Sequence, residues 1–490
     1  MSQTKGNGDS AALNDPMRPR LTRTKTVATF GPACADGQTL RRLMKEGVDV
    51  FRLNMAHGTQ QDHQAAIEKI RAACRDTGLA VGILIDLAGP KIRLGQLHTE
   101  PLNLEAGAEV KFVRGEVANE PHELTCTYEP LIDELKLDDQ IMIRDGLVRL
   151  TVINKTPDQV FCRVEDGGEI RSRQGVNLPG VNLGVPALLD VDRENALWAA
   201  KNEVEFVSLS FVREASEVAD LKKLLRSNGS QAMVIAKIEK REAMENLNEI
   251  VQAADAIMVA RGDLGVEIEI EKTPLAQKRI IKSCGKIGKP VIVATQMLES
   301  MHNNRRPTRA EASDVANAIL DGADACMLSG ETAIGEHPIE SVMMMQKIQS
   351  ETEKALVGRP SRNLSPEKDP DAAVTEAVMF GAALIARKVD AKLVVIATTD
   401  GRAAIVKSKQ RDYIPTLAVT NNPKVVNRMS LLWGVAPARL DSLTLRGLRE
   451  WVNAWAGESP DLSTGDLIVF CADTEVWDGV HDTVMVWSVP

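Results

Sequence analysis

Charged side chains follow directly after several short apolar segments of this sequence. Lys237 and Glu239 are two residues apart at the end of one segment, and Asp263 follows the next segment along the chain. Residues two apart on a strand face the same side, so Lys237 and Glu239 point in one direction. Two carboxylates without a nearby histidine or cysteine suit a hard cation such as Mg²⁺ or Mn²⁺. A simple ion pair between Lys237 and Glu239 is the alternative interpretation.

Positive side chains accompany these carboxylates. Arg52 lies near the end of an earlier apolar segment and Arg93 lies shortly after another, so at least three cations, including Lys237, are expected near the metal. Phosphoryl transfer depends mainly on positioning and charge neutralisation, which this combination supplies. A lysine beside a divalent cation can also stabilise an enolate oxygen. Because the chain has no Walker A sequence and no G-x-G-x-x-G after a strand, any nucleotide must be held by dispersed side chains and the metal.

Eight apolar segments, each followed by a helical pattern, must bring these side chains together. Continuous apolar strands between helices indicate a parallel sheet covered on both faces, and eight such units match a (β/α)8 TIM barrel. Chemistry in this fold takes place at the carboxyl ends of the strands, where most of these segments carry polar residues. The predicted strands are Thr26–Phe30, Val48–Leu53, Val81–Ile85, Glu205–Phe211, Met233–Ile238, Ala256–Val259, Pro290–Ala294 and Ala325–Leu328.

The predicted barrel, residues 21–88 and 185–357, is interrupted once. The intervening residues 89–184 carry alternating apolar patterns and Asp-Gly and Gly-Gly turns, which predict an inserted all-β domain. An insertion after a barrel strand emerges at the catalytic face, where it can act as a lid. A polar linker then leads to a C-terminal α/β domain over residues 372–490, and residues 1–20 are predicted to be a disordered tail.

Composition excludes several classes of partner. The 490 residues carry a net charge of -9, and only 16 are aromatic (8 Phe, 6 Trp and 2 Tyr). Such a chain lacks the basic surface and the stacking platform of nucleic-acid-binding proteins. No apolar run approaches the ~20 residues that span a bilayer, so no membrane partner is expected. Seven cysteines without C-x-x-C spacing indicate reduced thiols in a cytoplasmic protein.

Six motifs resemble those of the pyruvate kinase family. The resemblance covers about residues 22–490, in the family's order of barrel, lid, barrel and C-terminal effector domain. It implies metal-dependent phosphoryl transfer from phosphoenolpyruvate to ADP, giving pyruvate and ATP, in a cytoplasmic homotetramer. The motifs are Arg52–Gly58, Ala236–Glu239, Met258–Gly265, Ala294–Met301, Arg306–Glu311 and Met327–Ala333.

The resemblance also implies roles for individual residues at the metal and the substrate. Glu239 and Asp263 bind Mg²⁺ or Mn²⁺. Lys237 stabilises the charge that develops during transfer and on the enolate, and Arg52 holds the phosphoryl group. The substrate carboxylate is held by Gly262, Asp263 and Thr295.

The remaining implied roles concern the proton and the nucleotide. Thr295 and Ser329 belong to the region from which the methyl-forming proton is relayed, and no single acid is assigned. Asn54, His57 and Arg93 face the nucleotide.

The sequence departs from the family at its monovalent-cation site. The best-known members bind K⁺ through an Asn, a Ser, an Asp and a Thr. Asn54 and Asp86 are present here, but Ala56 and Leu87 replace the two hydroxyls, and Lys91 stands where K⁺-dependent members carry a Glu. Because a lysine ammonium can supply the charge of a bound K⁺, we predict that K⁺ is not required. The alternative is that Lys91 is a solvated surface charge.

The loop Thr398–Ala403 of the C-terminal domain precedes a helix, where free backbone N–H groups can bind phosphate. In fructose-1,6-bisphosphate-activated relatives this loop carries a Lys and a Ser, which Thr399 and Ala403 replace here, and Asp400 repels phosphate. We therefore predict weak or absent activation by that sugar. A different phosphorylated effector and an ordinary turn are the alternatives. The possible effector contacts are Thr398, Gly401 and Arg402.

Two alternative functions, a Schiff-base aldolase and an inactive metabolite sensor, are compatible with the fold, and the lid's contact with the nucleotide is not defined by the sequence. A barrel lyase or aldolase would use Lys237 as a Schiff-base nucleophile, but Glu239 favours its charged form. A catalytically dead metabolite sensor would have lost essential residues, and Lys237, Glu239, Asp263 and Thr295 are all present. The lid's contact with ADP is in doubt, because Gln174 stands where relatives offer a lysine, and the adjacent Arg173 is a possible substitute.

Overall fold

The computed structural model of the chain describes residues 22–144, 146–181, 184–358, 370–458, 462–472, 476 and 482–490. The predicted tail and most of the predicted linker lie outside these residues. Eight parallel strands pair in sequence order and close into a barrel, which confirms the predicted fold class. From the first to the eighth, the barrel strands are Lys25–Thr29, Val48–Asn54, Gly82–Asp86, Phe206–Leu209, Met233–Ile238, Ala256–Ala260, Val291–Ala294 and Ala325–Leu328.

Apolar side chains of the barrel strands form two cores. Val27, Leu84, Phe206 and Met258 fill the barrel interior, while alternate strand residues pack against the surrounding helices. This two-sided burial explains the continuous apolar runs of the sequence. The α-helices of this domain are Gly37–Glu46, Gln60–Thr77, Asp190–Lys201, Ala215–Ser227, Arg241–Glu245, Leu247–Ala253, Arg261–Glu267, Thr273–Lys286, Arg309–Asp321, Gly330–Ala333 and Pro338–Lys354. Short 3-10 helices are Pro32–Cys34, Ile270–Lys272 and Glu299–His302.

The inserted segment between the third and fourth barrel strands is rich in β-structure and has its own apolar core. Buried and partly exposed residues alternate along Val148–Lys155, because one face of its sheet packs on that core. A six-stranded sheet contains Glu109–Val113, Glu123–Leu124, Gln140–Ile143, Val148–Lys155, Gln159–Asp166 and Val176–Asn177, and a second sheet pairs Leu102–Leu104 with Gly168–Ile170. One short helix, Leu131–Glu134, accompanies them.

The C-terminal domain is a five-stranded sheet with helices. Its strands are Leu393–Ala397, Thr416–Thr420, Val435–Arg439, Leu467–Ala472 and Thr483–Ser488, the last of which is antiparallel to its neighbour. Val435–Arg439 is an edge strand and contains Pro437, a residue that is tolerated at sheet edges. The helices are Pro370–Lys388, Arg402–Gln410, Pro423–Arg428 and Leu445–Glu458, with a 3-10 turn at Met429–Leu431.

Buried charges join this domain to the amino end of the barrel. Asp324, just before the eighth barrel strand, accepts hydrogen bonds from Lys409 Nζ at 2.5 Å and from an Arg411 guanidinium nitrogen at 3.0 Å. All three side chains are less than a tenth exposed. Lys25 donates to the Val435 carbonyl across the same junction. These contacts fix the C-terminal domain at the end of the barrel opposite the predicted site.

Two further predictions concern the environment of the chain. Among the described residues, no helix has both the length and the apolar character needed to cross a bilayer. All seven cysteines are free thiols, and six of them are buried.

Candidate active site

Asp86, at the end of the third barrel strand, lies between a cation from the neighbouring second strand and a cation from the fifth strand. Arg52 donates from Nε to Asp86 Oδ2 at 2.7 Å, and a second guanidinium nitrogen lies 2.6 Å from the same oxygen. Lys237 Nζ lies 3.4 Å from Asp86 Oδ1, which also accepts a 2.5 Å hydrogen bond from the Ser208 hydroxyl. The barrel register brings Arg52 and Asp86 together, because the second and third strands pair there. Asp86 therefore orients both cations.

The charges of this cluster determine its protonation. Burial alone would raise the pKa of Asp86, but Lys237 and Arg52 outweigh burial and lower that pKa to about 2. Burial likewise opposes the charged form of Lys237, but Asp86 and Glu239 raise the pKa of Lys237 above its ordinary value. Asp86 is thus an anion and Lys237 a cation at neutral pH. A charged lysine is not a Schiff-base nucleophile, which weighs against the aldolase alternative.

Glu239 has the properties of a cation ligand. Its Oε2 accepts a hydrogen bond from the Phe211 N–H at 2.7 Å, and its Oε1 lies 2.9 Å from Lys237 Nζ. That Oε1 is buried and has no hydrogen-bond partner of acceptable geometry among the described residues. Burial raises the pKa of Glu239, Lys237 opposes this, and the nearby charge of Asp263 raises the pKa further. Two neighbouring carboxylates of this kind fit a hard divalent cation.

Lys91 contacts the second of these carboxylates. Its Nζ lies 3.1 Å from Asp263 Oδ1, and both side chains are partly exposed. Asp263 belongs to the helix Arg261–Glu267, which begins where the sixth barrel strand ends. The structure thus brings Lys91 to the predicted metal ligands across 172 positions of sequence.

Thr295 follows the seventh barrel strand and contacts the same helix. Its hydroxyl accepts a 2.8 Å hydrogen bond from the Gly262 N–H and donates to the Ala294 carbonyl at 2.6 Å. The predicted carboxylate-binding residues Gly262, Asp263 and Thr295 therefore lie together. Ser329, after the eighth strand, donates its N–H to buried Glu331 at 2.7 Å.

The residues predicted to face the nucleotide lie in two other segments. Asn54 is the last residue of the second barrel strand and accepts from the Ala56 N–H, and His57 is exposed in the turn that follows. The register of the second and third strands pairs Asn54 with Asp86. Arg93 donates to the Arg173 carbonyl at 3.1 Å, within the inserted domain.

The lid residue Gln174 is also engaged locally. Its side-chain oxygen accepts a 2.8 Å hydrogen bond from the Arg171 N–H, which closes a short turn. Gln174 therefore supports the lid backbone in this conformation. No positive charge stands at that position to meet a phosphate.

The possible effector loop already uses two of its backbone N–H groups. The Thr398 hydroxyl accepts from the Gly401 N–H at 2.9 Å, and Asp400 accepts from the Arg402 N–H at 2.8 Å. Arg402 is the first residue of the helix Arg402–Gln410. A carboxylate thus occupies the helix terminus where a phosphate would bind.

Three buried or partly buried hydroxyls of the site were missed by sequence reasoning. Thr29 accepts a hydrogen bond from Arg52 at 3.2 Å, Ser210 accepts one from Lys237 at 2.7 Å, and Ser208 contacts Asp86. A hydroxyl buried within an otherwise apolar strand is the signal that could have identified Ser208. Asp86 was predicted as a polar strand end and as a residue of the family's K⁺ site, but its pairing with Arg52 and Lys237 was not predicted.

This fold and site define a TIM-barrel enzyme in which lysine, arginine and carboxylate groups converge at the carboxyl ends of the strands, an arrangement suited to an anionic substrate and a divalent cation. Models of the pyruvate kinase barrel domain and of the pyruvate kinase alpha/beta domain match residues 21–342 and 376–487. The chain belongs to the pyruvate kinase family.

Proteins named pyruvate kinase are similar in sequence to this chain over most of its length. A pyruvate kinase of Geobacillus stearothermophilus is 42% identical over 416 residues, which are 84% of this chain and 71% of that protein. A pyruvate kinase of Bacillus licheniformis is 41% identical over 418 residues, 85% of this chain and 71% of the relative. A pyruvate kinase of Sporosarcina psychrophila is 41% identical over 475 residues, 95% and 80% of the two chains.

Proposed function

We propose that this enzyme transfers a phosphoryl group from phosphoenolpyruvate to ADP with the help of Mg²⁺ or Mn²⁺, giving pyruvate and ATP as in the final step of glycolysis. The observation that carries the proposal is the arrangement of Arg52 and Lys237 on either side of Asp86, with Glu239 beside Lys237 and Asp263 near enough to Glu239 to raise its pKa. Cations flanking a two-carboxylate metal site suit a highly anionic substrate.

Glu239 and Asp263 hold the divalent cation, which supplies Lewis-acid neutralisation of the substrate's oxygens when bound. Lys237 is fully charged and held in place by Asp86, Glu239 and Ser210. It stabilises negative charge on the phosphoryl group in transfer and then on the enolate oxygen. Fixing this charge before the reaction avoids the cost of reorienting solvent.

Arg52 is the phosphoryl-binding residue of the proposal. Its guanidinium is held by Asp86 and by the Thr29 hydroxyl, and its side chain is 13% exposed, so one face remains open to the barrel mouth. A planar guanidinium binds phosphoryl oxygens with good geometry. Thr295, Gly262 and Asp263 hold the substrate carboxylate, and Thr295 and Ser329 belong to the proton-relay region.

ADP binds between the turn after the second strand and the lid. Asn54 and His57 approach it from the barrel and Arg93 from the inserted domain. Because Gln174 is engaged with Arg171, the lid contributes Arg93 as its cation for the nucleotide.

K⁺ is not required in this proposal. The Lys91 ammonium lies beside Asp263 and supplies positive charge at the site from within the chain. Two hydroxyl ligands of the family's K⁺ site are absent, at Ala56 and Leu87. Both observations favour activity without a monovalent cation.

Activation by fructose 1,6-bisphosphate is weak or absent in this proposal. Asp400 accepts the Arg402 N–H and places negative charge at the helix terminus. A phosphate there would have to displace that carboxylate and overcome its repulsion.

We also propose that the enzyme is a cytoplasmic homotetramer, because the family that it resembles has this assembly and location. Exposed apolar residues Val374, Phe380 and Leu384 on the helix Pro370–Lys388 are compatible with burial in an assembly. Light scattering with size-exclusion chromatography tests this, and a monomeric mass would contradict it.

A coupled assay with phosphoenolpyruvate, ADP and Mg²⁺ tests the activity. Lys237→Met is expected to lower turnover by at least about 10³-fold, since it removes the preorganised charge. Lys222→Met is the matched control, because Lys222 is also largely buried (16% exposed) and paired with Asp255, but lies outside the site. Absence of wild-type turnover with either Mg²⁺ or Mn²⁺ would refute the proposed function.

A further inference from the structure

Thr295 and Gln296 have an unusual backbone conformation. Their φ angles are +69° and +53°, in the left-handed region that residues other than glycine rarely adopt. For a β-branched residue such as Thr295 this conformation costs on the order of 1–3 kcal/mol and persists only when neighbouring groups enforce it. The turn that presents the Thr295 hydroxyl must therefore be held by contacts from outside itself.

Arg261 supplies such contacts. One of its guanidinium nitrogens donates to the Thr295 carbonyl at 2.7 Å and to the Gln296 carbonyl at 3.3 Å, and lies 2.8 Å from Met297 Sδ. The other terminal nitrogen donates to Asp314 Oδ2 at 2.5 Å. The Arg261 side chain is 11% exposed and its partner Asp314 is 37% exposed, so the guanidinium lies mostly out of water while its anchor reaches the surface.

The residue after Arg261 holds the other side of the same threonine. The Gly262 N–H donates to the Thr295 hydroxyl, so residues 261 and 262 together bind both the carbonyl and the side chain of Thr295. Gly262 lies against this side chain, since a Cβ at its position would be in van der Waals contact with Thr295 Oγ1, at 3.6 Å. The position of Thr295 relative to Gly262 and Asp263 is therefore defined by Arg261.

We propose that Arg261 is a positioning residue for recognition of the substrate carboxylate, acting through the strained Thr295–Gln296 turn and anchored by Asp314. The proposal rests on the proposed function, because it assigns the carboxylate to Gly262, Asp263 and Thr295. Arg261 itself does not touch substrate. A lysine cannot replace it, because a single ammonium lacks the planar fork that spans the turn and Asp314.

The test measures the dissociation constant of phosphoenolpyruvate, with Mg²⁺ present, by calorimetry on the full chain. Arg261→Lys is expected to weaken this binding about 10- to 100-fold, as a displaced substrate-binding group does. Binding of ADP should stay within about twofold, since the nucleotide contacts lie elsewhere. Asp314→Asn, which weakens the anchor alone, is expected to weaken phosphoenolpyruvate binding about three- to tenfold.

Arg71→Lys is the matched control, because Arg71 forms a similar partly buried pair with Glu205 outside the site. It should leave phosphoenolpyruvate binding unchanged. When Thr295 is already replaced by Ala, Arg261→Lys should weaken phosphoenolpyruvate binding by less than about threefold. Arg261 acts by positioning the Thr295 side chain, which this background lacks.

Unchanged phosphoenolpyruvate affinity in Arg261→Lys, or equal losses for phosphoenolpyruvate and ADP, would overturn the assignment. If Arg261→Lys does not fold, Asp314→Asn replaces it in the test, and unchanged phosphoenolpyruvate affinity in that variant would overturn the assignment. A wild-type protein that binds phosphoenolpyruvate without turnover would overturn the proposed function alone. A wild-type protein that does not bind phosphoenolpyruvate would overturn both.

Discussion

Lys91 Nζ and Asp263 Oδ1 lie 3.1 Å apart, so the first segment of the inserted domain reaches a predicted metal ligand of the barrel. The Lys91 stem passes close to Gly175, where an added Cβ would lie 3.3 Å from Lys91 Cε. The first residues of the inserted domain thus run beside Gly175, which pairs with Arg93. The Lys91 ammonium, which belongs to the inserted domain, therefore contributes positive charge to the site in the barrel.

Replacing Lys91 by Glu tests the source of that charge. Lys91→Glu is expected to lower activity in K⁺-free buffer about 100-fold, since it reverses the charge beside Asp263. Wild-type activity should change less than about twofold between K⁺-free buffer and added KCl. Steady-state assays with tetramethylammonium salts at constant ionic strength measure both. Strong activation of the wild type by KCl would contradict this prediction.

Glu239→Gln tests the metal site. The amide keeps the size of the side chain but removes one of the two negative charges that attract the cation. We expect Mn²⁺ binding to weaken about 100-fold, measured by electron paramagnetic resonance or calorimetry. Glu269→Gln is the control, because Glu269 is exposed and pairs with nearby Lys272 at the surface. Equal Mn²⁺ affinity of Glu239→Gln and the wild type would exclude Glu239 as a ligand.

Asp86→Asn removes the anion between Arg52 and Lys237. The pKa of Asp86 is lowered to about 2 from 3.8, so its ionised form stabilises the fold above about pH 4 and this contribution is lost as the pH falls toward 2. At neutral pH it amounts to about 2 kcal/mol. The difference in unfolding free energy between the wild type and Asp86→Asn should therefore shrink between pH 4 and pH 2.

Urea unfolding followed by circular dichroism at several pH values measures this difference. Asp76→Asn serves as control, because the Asp76–Arg41 pair is exposed and should contribute less than about 1 kcal/mol at any pH. A difference for Asp86→Asn that stays constant from pH 6 to pH 2 would show that its charge is not linked to stability.

Asp324→Asn tests the junction between the barrel and the C-terminal domain. It leaves the buried cations Lys409 and Arg411 without their anion, which is expected to cost about 3–5 kcal/mol. A fall in melting temperature of roughly 10 °C should follow, measured by calorimetry. Asp390→Asn disrupts an exposed pair with Lys392 and should change the melting temperature by less than about 2 °C. Equal effects of the two substitutions would contradict the junction's role.

Much of the candidate site was predictable because it follows from local pattern. Apolar strands followed by helices specify a barrel, and the barrel places Arg52, Lys237 and Asp263 at one end. The spacing of Lys237 and Glu239 places both on one side of a strand. None of this requires knowledge of a distant contact.

Other features depend on atoms far apart in the chain. Asp86 acts as the counter-ion of Arg52 and Lys237 only because closure of the barrel brings three strands to a common register. The positive φ of Thr295 is sustained by Arg261, which is 34 positions away in the sequence. At the effector loop, the sequence suggested free N–H groups, whereas the folded turn directs Thr398 and Asp400 onto two of them.

The sequence by itself thus determined the barrel, its interruption, the residue types at its mouth and the family to which they belong, because hydrophobic periodicity and motif spacing act over short stretches of chain. Only the tertiary structure decided which charges pair, which hydroxyls are engaged and which backbone turn is strained. Pairing depends on distances of a few ångströms between residues far apart in sequence. Those distances are set by strand register, barrel closure and the position of the lid.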